Sequence, residues 1–306
     1  MRYASFLVPV LLLLAACGGT APRGLKKGET LYVIATTPHL ASIAMAIGGA
    51  NAQVESLVPP NSSAHDYELT IADRRRLEAA HLLLHNGLEL EHFEVAKTAA
   101  AARIATVDCS AAIPKEWLIE GEEEEGAGHG HNHDHGTYNP HVWLSTEGAI
   151  YQAQAICDAM AKADPAKAEL YRGALNELKK RLTALRDEYQ PKVKALTRRN
   201  FVSNHDAFPY FAREYALKQV GVIQRTPGVD PTIEERRQLE TVLHRRGAHA
   251  IFLEPGYDDA ASRAVAESAG LPIATLDPFD VGTPTADGLE KVLRSNLETV
   301  LKTLGR

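Results

Sequence analysis

Leu175-Asn176-Glu177-Leu178-Lys179-Lys180-Arg181-Leu182-Thr183-Ala184-Leu185-Arg186-Asp187-Glu188-Tyr189 sets apolar side chains at three- and four-residue steps, with Lys, Arg and Glu on the other faces. That spacing makes one stripe of an amphipathic helix. The pattern extends from Pro165 to about Leu196. At 1.5 Å per residue such a helix is roughly 40 Å long, and Pro191 is expected to end or kink it. What flanks it decides the fold. Before it, short β-branched or Leu-rich runs at Leu31–Thr37, Val54–Pro59, His81–Asn86 and Arg103–Asp108 alternate with helical patterns such as Leu40–Ile47 and Ile71–Ala80. After it, runs at Phe201–Asn204, Gln219–Gln224, Ala250–Glu254 and Ile273–Asp277 repeat the rhythm. Strands alternating with helices build parallel sheets. The expectation is an α/β chain of two lobes, each a mainly parallel four-stranded sheet flanked by helices, joined by one long rigid helix.

The amino terminus has a different character. Arg2 precedes an apolar stretch from Phe6 to Ala16, then Leu14-Ala15-Ala16-Cys17 is followed by Gly18-Gly19. Spanning a bilayer takes about 20 apolar residues, so this stretch is too short to cross but suits an export signal. Small residues before a cysteine are what a lipoprotein signal peptidase needs. The expected organisation is a signal peptide over 1–16, a lipid-anchored tether over 17–29 beginning at an acylated Cys17, a first lobe over 30–164, the linking helix over 165–197 and a second lobe over 198–306. An ordinary signal peptide with an incidental cysteine is the alternative. The lipid would hold the protein outside the cytoplasm on a membrane surface.

Removing residues 1–16 takes away Arg2 and no acid, which moves the formal charge from −6 to −7. Nothing in that balance points to nucleic acid. With 45% apolar residues, the chain has material for one large or two medium domains. Cys109 and Cys157 form neither a thiolate metal site nor a disulfide framework by number or spacing. No repeat or exposed heptad argues for an oligomer, so a monomer is expected.

His65, His141, His205 and Asp277 each sit beside a turn or at the end of a strand-like run. In open α/β sheets, ligands collect at the carboxyl ends of the strands. Three imidazoles and a carboxylate make a shell for a borderline cation such as Zn²⁺. Taken singly, each histidine is better explained as a helix cap or a satisfied core residue. His129, His131, His133 and His135 occupy a separate Gly- and Glu-rich segment, 120–136, too poor in apolar residues to order itself. This segment is either a low-affinity capture loop or a dispensable tract. His39, after the first strand, and Glu254, closing a later one, are candidates for auxiliary roles; Glu254 is expected to orient an imidazole or cap a helix. His81, His85, His92, His244 and His249 are expected to be structural.

Several separated motifs carry a resemblance. They are Ser63-Ala64-His65-Asp66-Tyr67-Glu68, Asn86-Gly87-Leu88-Glu89-Leu90-Glu91, Asn139-Pro140-His141-Val142-Trp143-Leu144, Ser203-Asn204-His205-Asp206-Ala207-Phe208, Phe252-Leu253-Glu254-Pro255 and Leu276-Asp277-Pro278. In this order, from about Leu31 to the end, the chain resembles the extracytoplasmic zinc- and manganese-binding lipoproteins that serve ABC metal importers. The resemblance implies two lobes with a metal held between them by His65, His141, His205 and Asp277, and an ABC permease as partner. Manganese-type members resemble this pattern with a carboxylate at the third position, where this chain has His205; three nitrogens and one oxygen favour Zn²⁺ over Mn²⁺. The His-rich loop resembles those common in zinc receptors. Leu69 stands where proline often follows the Tyr-Glu pair, and Asn204 where a small residue or serine is frequent. A zinc hydrolase is the disfavoured rival, because four protein donors fill the shell and no His-Glu-x-x-His helix occurs. A surface adhesin or metallochaperone lacking a permease is the other alternative.

Overall fold

The computed structural model describes residues 22–60, 62, 64–121, 137–223, 232, 237, 241, 243, 245–255, 260–279 and 282–305. The proposed signal segment, Cys17, His244 and the run from His129 to His135 lie outside them. Strands β1 (Leu31–Ala35), β2 (Ala52–Ser56), β3 (Leu82–His85) and β4 (Ala105–Asp108) form one sheet in the order β2-β1-β3-β4. Strands β5 (Asn200–Ser203), β6 (Lys218–Val222), β7 (Ala250–Leu253) and β8 (Ile273–Thr275) form a second in the order β6-β5-β7-β8. Every pairing is parallel. Central strands of such sheets are covered on both faces, and this is why Leu82-Leu83-Leu84 and Ala250-Ile251-Phe252-Leu253 are unbroken apolar runs, all buried.

Most strands stop short of the sequence runs. Thr36 and Thr37, Asn86, Asn204, Glu254, Leu276 and Asp277 all lie beyond the last paired residue of their strands. There the chain leaves the ladder to begin its crossover. The residues freed from pairing line the carboxyl ends of the sheets.

Among the described residues the helices with both ends placed are α1 (Pro38–Gly48), α2 (Ile71–Ala79), α3 (Val95–Ala102), α4 (Thr146–Ala163), α5 (Ala168–Lys194), α6 (Pro209–Tyr215), α7 (Ala260–Ala269) and α8 (Gly288–Leu304). The linking helix α5 has 27 residues and buries Tyr171, Leu175, Leu178, Leu182, Leu185, Tyr189 and Val193. It runs on past Pro191 to Lys194, so the proline does not end it. Proline there removes only the N–H that would reach Asp187, a small loss in a final turn. Among the described residues no helix is long and apolar enough to cross a membrane.

The buried stripe of α5 packs on α1 and α4 at one end and on α6 and α8 at the other. Its leucines belong to one apolar cluster that contains residues of both sheets. Each buried leucine of this kind contributes roughly 1.5–3 kcal/mol. The lobes also touch directly. Ser42 Oγ donates to the Thr285 carbonyl at 2.6 Å and accepts from the Leu289 N–H at 3.1 Å. Glu214 on α6 accepts from the Thr146 N–H at 2.8 Å and the Thr146 hydroxyl at 2.7 Å, at the first turn of α4. Cys109 and Cys157 are buried free thiols.

The two sheets repeat one device. His81 Nδ1 accepts from the Tyr32 N–H at 3.1 Å, and His249 Nδ1 from the Asn200 N–H at 3.2 Å. Each of these histidines opens the strand next to its sheet's first strand, and each is structural, as expected. At the far end of those strands stand Asn86 and Glu254, at the same offset from their histidines. Asn86 is fully buried. Its Oδ1 accepts from Gln152 at 2.8 Å and lies 3.2 Å from His39 Nε2, while its Nδ2 donates to the Pro140 carbonyl at 3.1 Å. Glu91 anchors the Asn86 N–H at 2.6 Å. His39 is fully buried and stacks on Trp143 with ring centroids 3.7 Å apart and planes 9° from parallel.

A Cβ on Gly148, in the first turn of α4, would lie 2.0 Å from the Val142 carbonyl oxygen. Gly148→Ala is therefore expected to destabilise the protein by about 1–3 kcal/mol, read as a lower midpoint in denaturant unfolding. Burial pushes the His39 imidazole down from 6.5 to about 3. The fold thus favours neutral His39, and this contribution is complete above pH 6.5 and declines as pH falls towards 3. Metal-free His39→Phe is expected to lose less stability than the parent across that window; equal losses in the two acid titrations would contradict it.

Candidate metal centre

Three of the candidate residues arrive from separate loops at the carboxyl ends of the sheets. His65 follows β2, in a loop braced by its neighbour Tyr67, whose hydroxyl donates to Asp73 at 2.7 Å. Asp73 also closes a capping box with Thr70 at the start of α2 and pairs with Arg76. Burial opposes ionisation of Asp73, but the bonds from Tyr67, Arg76 and Thr70 prevail and hold its carboxyl at about 2. His141 enters the 3₁₀ turn Val142–Leu144. His205 follows β5 by two positions, and its carbonyl accepts from Ser203 Oγ at 2.8 Å.

The three imidazoles converge. His65 Nε2 and His205 Nε2 each lie 3.2 Å from His141 Nε2. One ligand atom from each of the three lies within 4.8 Å of the other two. Nitrogens on a tetrahedral ion at about 2.0–2.1 Å are separated by about 3.3 Å, so two edges of such a shell are already near their length. His141 and His205 are buried, and His65 is partly exposed.

The other ring nitrogens decide the protonation pattern. His205 Nδ1 lies 2.6 Å from Glu254 Oε1, which also accepts from the His205 backbone N–H at 3.1 Å. A carboxylate can only accept, so Nδ1 carries the proton. His141 Nδ1 lies 3.1 Å from Asn139 Oδ1, which accepts from the His141 backbone N–H at 3.0 Å. The Asn139 amide is oriented by its Nδ2, which donates to the Asp206 carbonyl at 2.7 Å and the Asp206 carboxylate at 3.0 Å. In their neutral forms, with the proton on Nδ1, His141 and His205 both present a lone pair at Nε2, with those atoms 3.2 Å apart in a buried site. Two lone pairs so close repel unless a metal ion or a proton is shared between them.

Asp277 stands outside this group. Its Oδ1 accepts from the Phe279 N–H at 2.8 Å, and its main chain is held on both sides by Asn296 of α8. Burial raises its pKa; the Phe279 bond opposes this, and the negative charge of Glu254 adds to it. His39 is likewise outside, its Nε2 occupied by the Asn86 amide. Asn139 carried no expectation from the sequence. The signal available was its position two residues before a histidine, from which an Asn side chain reaches the following backbone N–H.

A family model described as "Zinc-uptake complex component A periplasmic" matches residues 33–303. The high-affinity zinc uptake system protein ZnuA of Bacillus subtilis is 30% identical over 286 residues, covering 92% of this chain and 86% of that one. The manganese-binding lipoprotein MntA of the same organism is 30% identical over 259 residues, covering 84% and 81%. A crystal structure of ZnuA superposes with a TM-score of 0.74 at 26% identity, covering 89% of this chain and 99% of that one. FpvC from Pseudomonas aeruginosa, solved with Mn²⁺, gives 0.78 at 24% identity over 90% and 99%. Two parallel four-stranded lobes, a long helix between them and a family match over nearly the whole length place the chain in the periplasmic zinc-uptake component A family of ABC solute-binding proteins, metal-binding receptors that are not enzymes.

Proposed function

We propose that this protein is a zinc receptor that captures Zn²⁺ between its lobes and delivers it to the permease of an ABC importer. The ion is the cargo. His65, His141 and His205 supply nitrogen through Nε2, and Asp277 completes the shell with oxygen when its carboxylate turns from the Phe279 N–H towards the imidazoles. The observation that carries this reading is the pair of buried Nε2 lone pairs on His141 and His205, 3.2 Å apart. Three imidazoles with one carboxylate favour Zn²⁺ over the harder Mn²⁺. Glu254, hydrogen-bonded to His205 Nδ1, raises that ligand's basicity and fixes its ring; Asn139 does the same for His141 without a charge.

In this reading residues 1–16 direct export, Cys17 carries the lipid that keeps the receptor outside the cytoplasm on its membrane, and His129, His131, His133 and His135 form a low-affinity capture loop that is no part of the tight site. Proton competition sets the direction of release. Imidazoles bind metal only when neutral, so affinity falls as pH drops.

The test is competitive metal titration and elemental analysis of soluble protein beginning at Gly18, with and without residues 120–136. One tight zinc per chain that survives loop removal and is lost in His205→Ala is the expected result. Tight binding that vanished with the loop alone would overturn the interlobe site. Glu254→Gln is expected to weaken zinc binding by about 10- to 100-fold in the same titration, because the amide is a poorer acceptor for the His205 ring.

A further inference from the structure

Trp143 is fully buried in the first lobe, two positions after His141, yet its one polar atom is spent on the second. The indole Nε1–H donates to the Pro278 carbonyl at 2.6 Å. Pro278 lies between Asp277 and Phe279, in the turn whose carboxylate we assign as the fourth donor. One face of the indole is covered by His39, and the His141 ring lies 5.1 Å from it at 49°. The indole therefore cannot swing away without disturbing the core of its own lobe.

The turn it grips is not a relaxed one. Phe279 has φ +53°, a left-handed conformation that a side-chain-bearing residue keeps only where its surroundings impose it. Its ring is wedged against Gly288, where a Cβ would lie 2.8 Å from the ring tip, and against Gly282. Asn296 holds the Asp277 main chain from α8, on the far side of the carboxylate. Trp143 supplies the hold from the opposite lobe.

We propose that Trp143 is a positioning residue that couples the His141 loop to the Asp277 turn, so that the oxygen donor is aimed by the lobe that supplies two of the nitrogens. This rests on the reading of Asp277 as a metal ligand. The indole N–H acts only through Pro278, and so its contribution to zinc binding passes through the Asp277 carboxylate. Stacking on His39, by contrast, is a packing contribution that does not depend on Asp277.

The two are separated by a double-mutant cycle on zinc affinity in the full chain, using Trp143→Phe, Asp277→Ala and the double variant. Phenylalanine keeps a ring against His39 and removes the donor. Should that variant fail to fold, replacing Trp143 with the isosteric benzothienyl-alanine removes the N–H alone. The expected result is a loss of about tenfold in zinc affinity on removing the donor in the parent, and less than about twofold in the Asp277→Ala background. Equal losses in the two backgrounds, or none in either, would overturn the coupling while leaving Asp277 as a ligand. An Asp277→Ala variant that binds zinc like the parent would overturn Asp277 as a ligand, and the coupling with it.

Discussion

Two imidazole nitrogens 3.2 Å apart in a buried crevice, each on a ring whose other nitrogen is hydrogen-bonded to the protein behind it, are the constraint on which the rest of the site depends. Glu254 and Asn139 each accept a hydrogen bond from Nδ1, so in the neutral rings both Nε2 atoms are acceptors. Such an arrangement is costly unless a positive charge enters, and it persists because each loop is fixed independently. Asn139 is fixed by Asp206 and Tyr210, and Glu254 by its place at the end of β7. The lobes are kept at this distance by the single apolar cluster that α5 threads, and by Glu214 capping α4 from across the crevice.

The braces are not equivalent, although the lobes are built alike. Asn86 and Glu254 occupy corresponding strand ends, but one is a neutral amide and the other a carboxylic side chain. The amide is used up internally, on Gln152, the Pro140 carbonyl and the buried His39. The carboxylate faces His205. A neutral hub therefore sets the height of the Pro140-His141 loop in the first lobe, and a charged one sets the basicity of His205 in the second. His39 illustrates the division: burial holds its pKa near 3, which makes it a flat, uncharged surface for Trp143 instead of a competing base.

The architecture was legible from periodicity alone. Apolar runs alternating with helical patterns on both sides of the Leu175–Tyr189 stripe give two parallel sheets and a long helix, because burial on both faces leaves no polar side to a parallel strand. Strand ends were placed one or two residues too late wherever a polar residue such as Asn86 or Glu254 continued an apolar run, since nothing local marks where pairing stops. Helix α4 was not singled out, since its Gly148, Gln152 and Thr146 interrupt the apolar stripe for reasons that belong to the site: close approach of Val142, a bond to Asn86 and a cap from Glu214. His65, His141 and His205 were readable as residues at strand or turn ends. That Asp277 is engaged by Phe279, and that Trp143 spans the lobes, depends on contacts between residues more than one hundred positions apart in the second case, and no local pattern carries that.

The contact between Ser42 on α1 and the Thr285–Leu289 segment has a consequence for the order in which the molecule assembles. Among the described elements helix α8 comes latest in sequence, yet it covers part of α1, the earliest helix. A ribosome delivers α1 long before it delivers α8. During synthesis the apolar face of α1 has α4 and α5 as earlier partners, but its final cover exists only after residues 285–304 have emerged. The first lobe is thus built mostly from local βα units and can collapse early, while completion waits for the carboxyl terminus. A chain lacking α8 would lose the Ser42 part of the seam between the lobes along with one layer of the second.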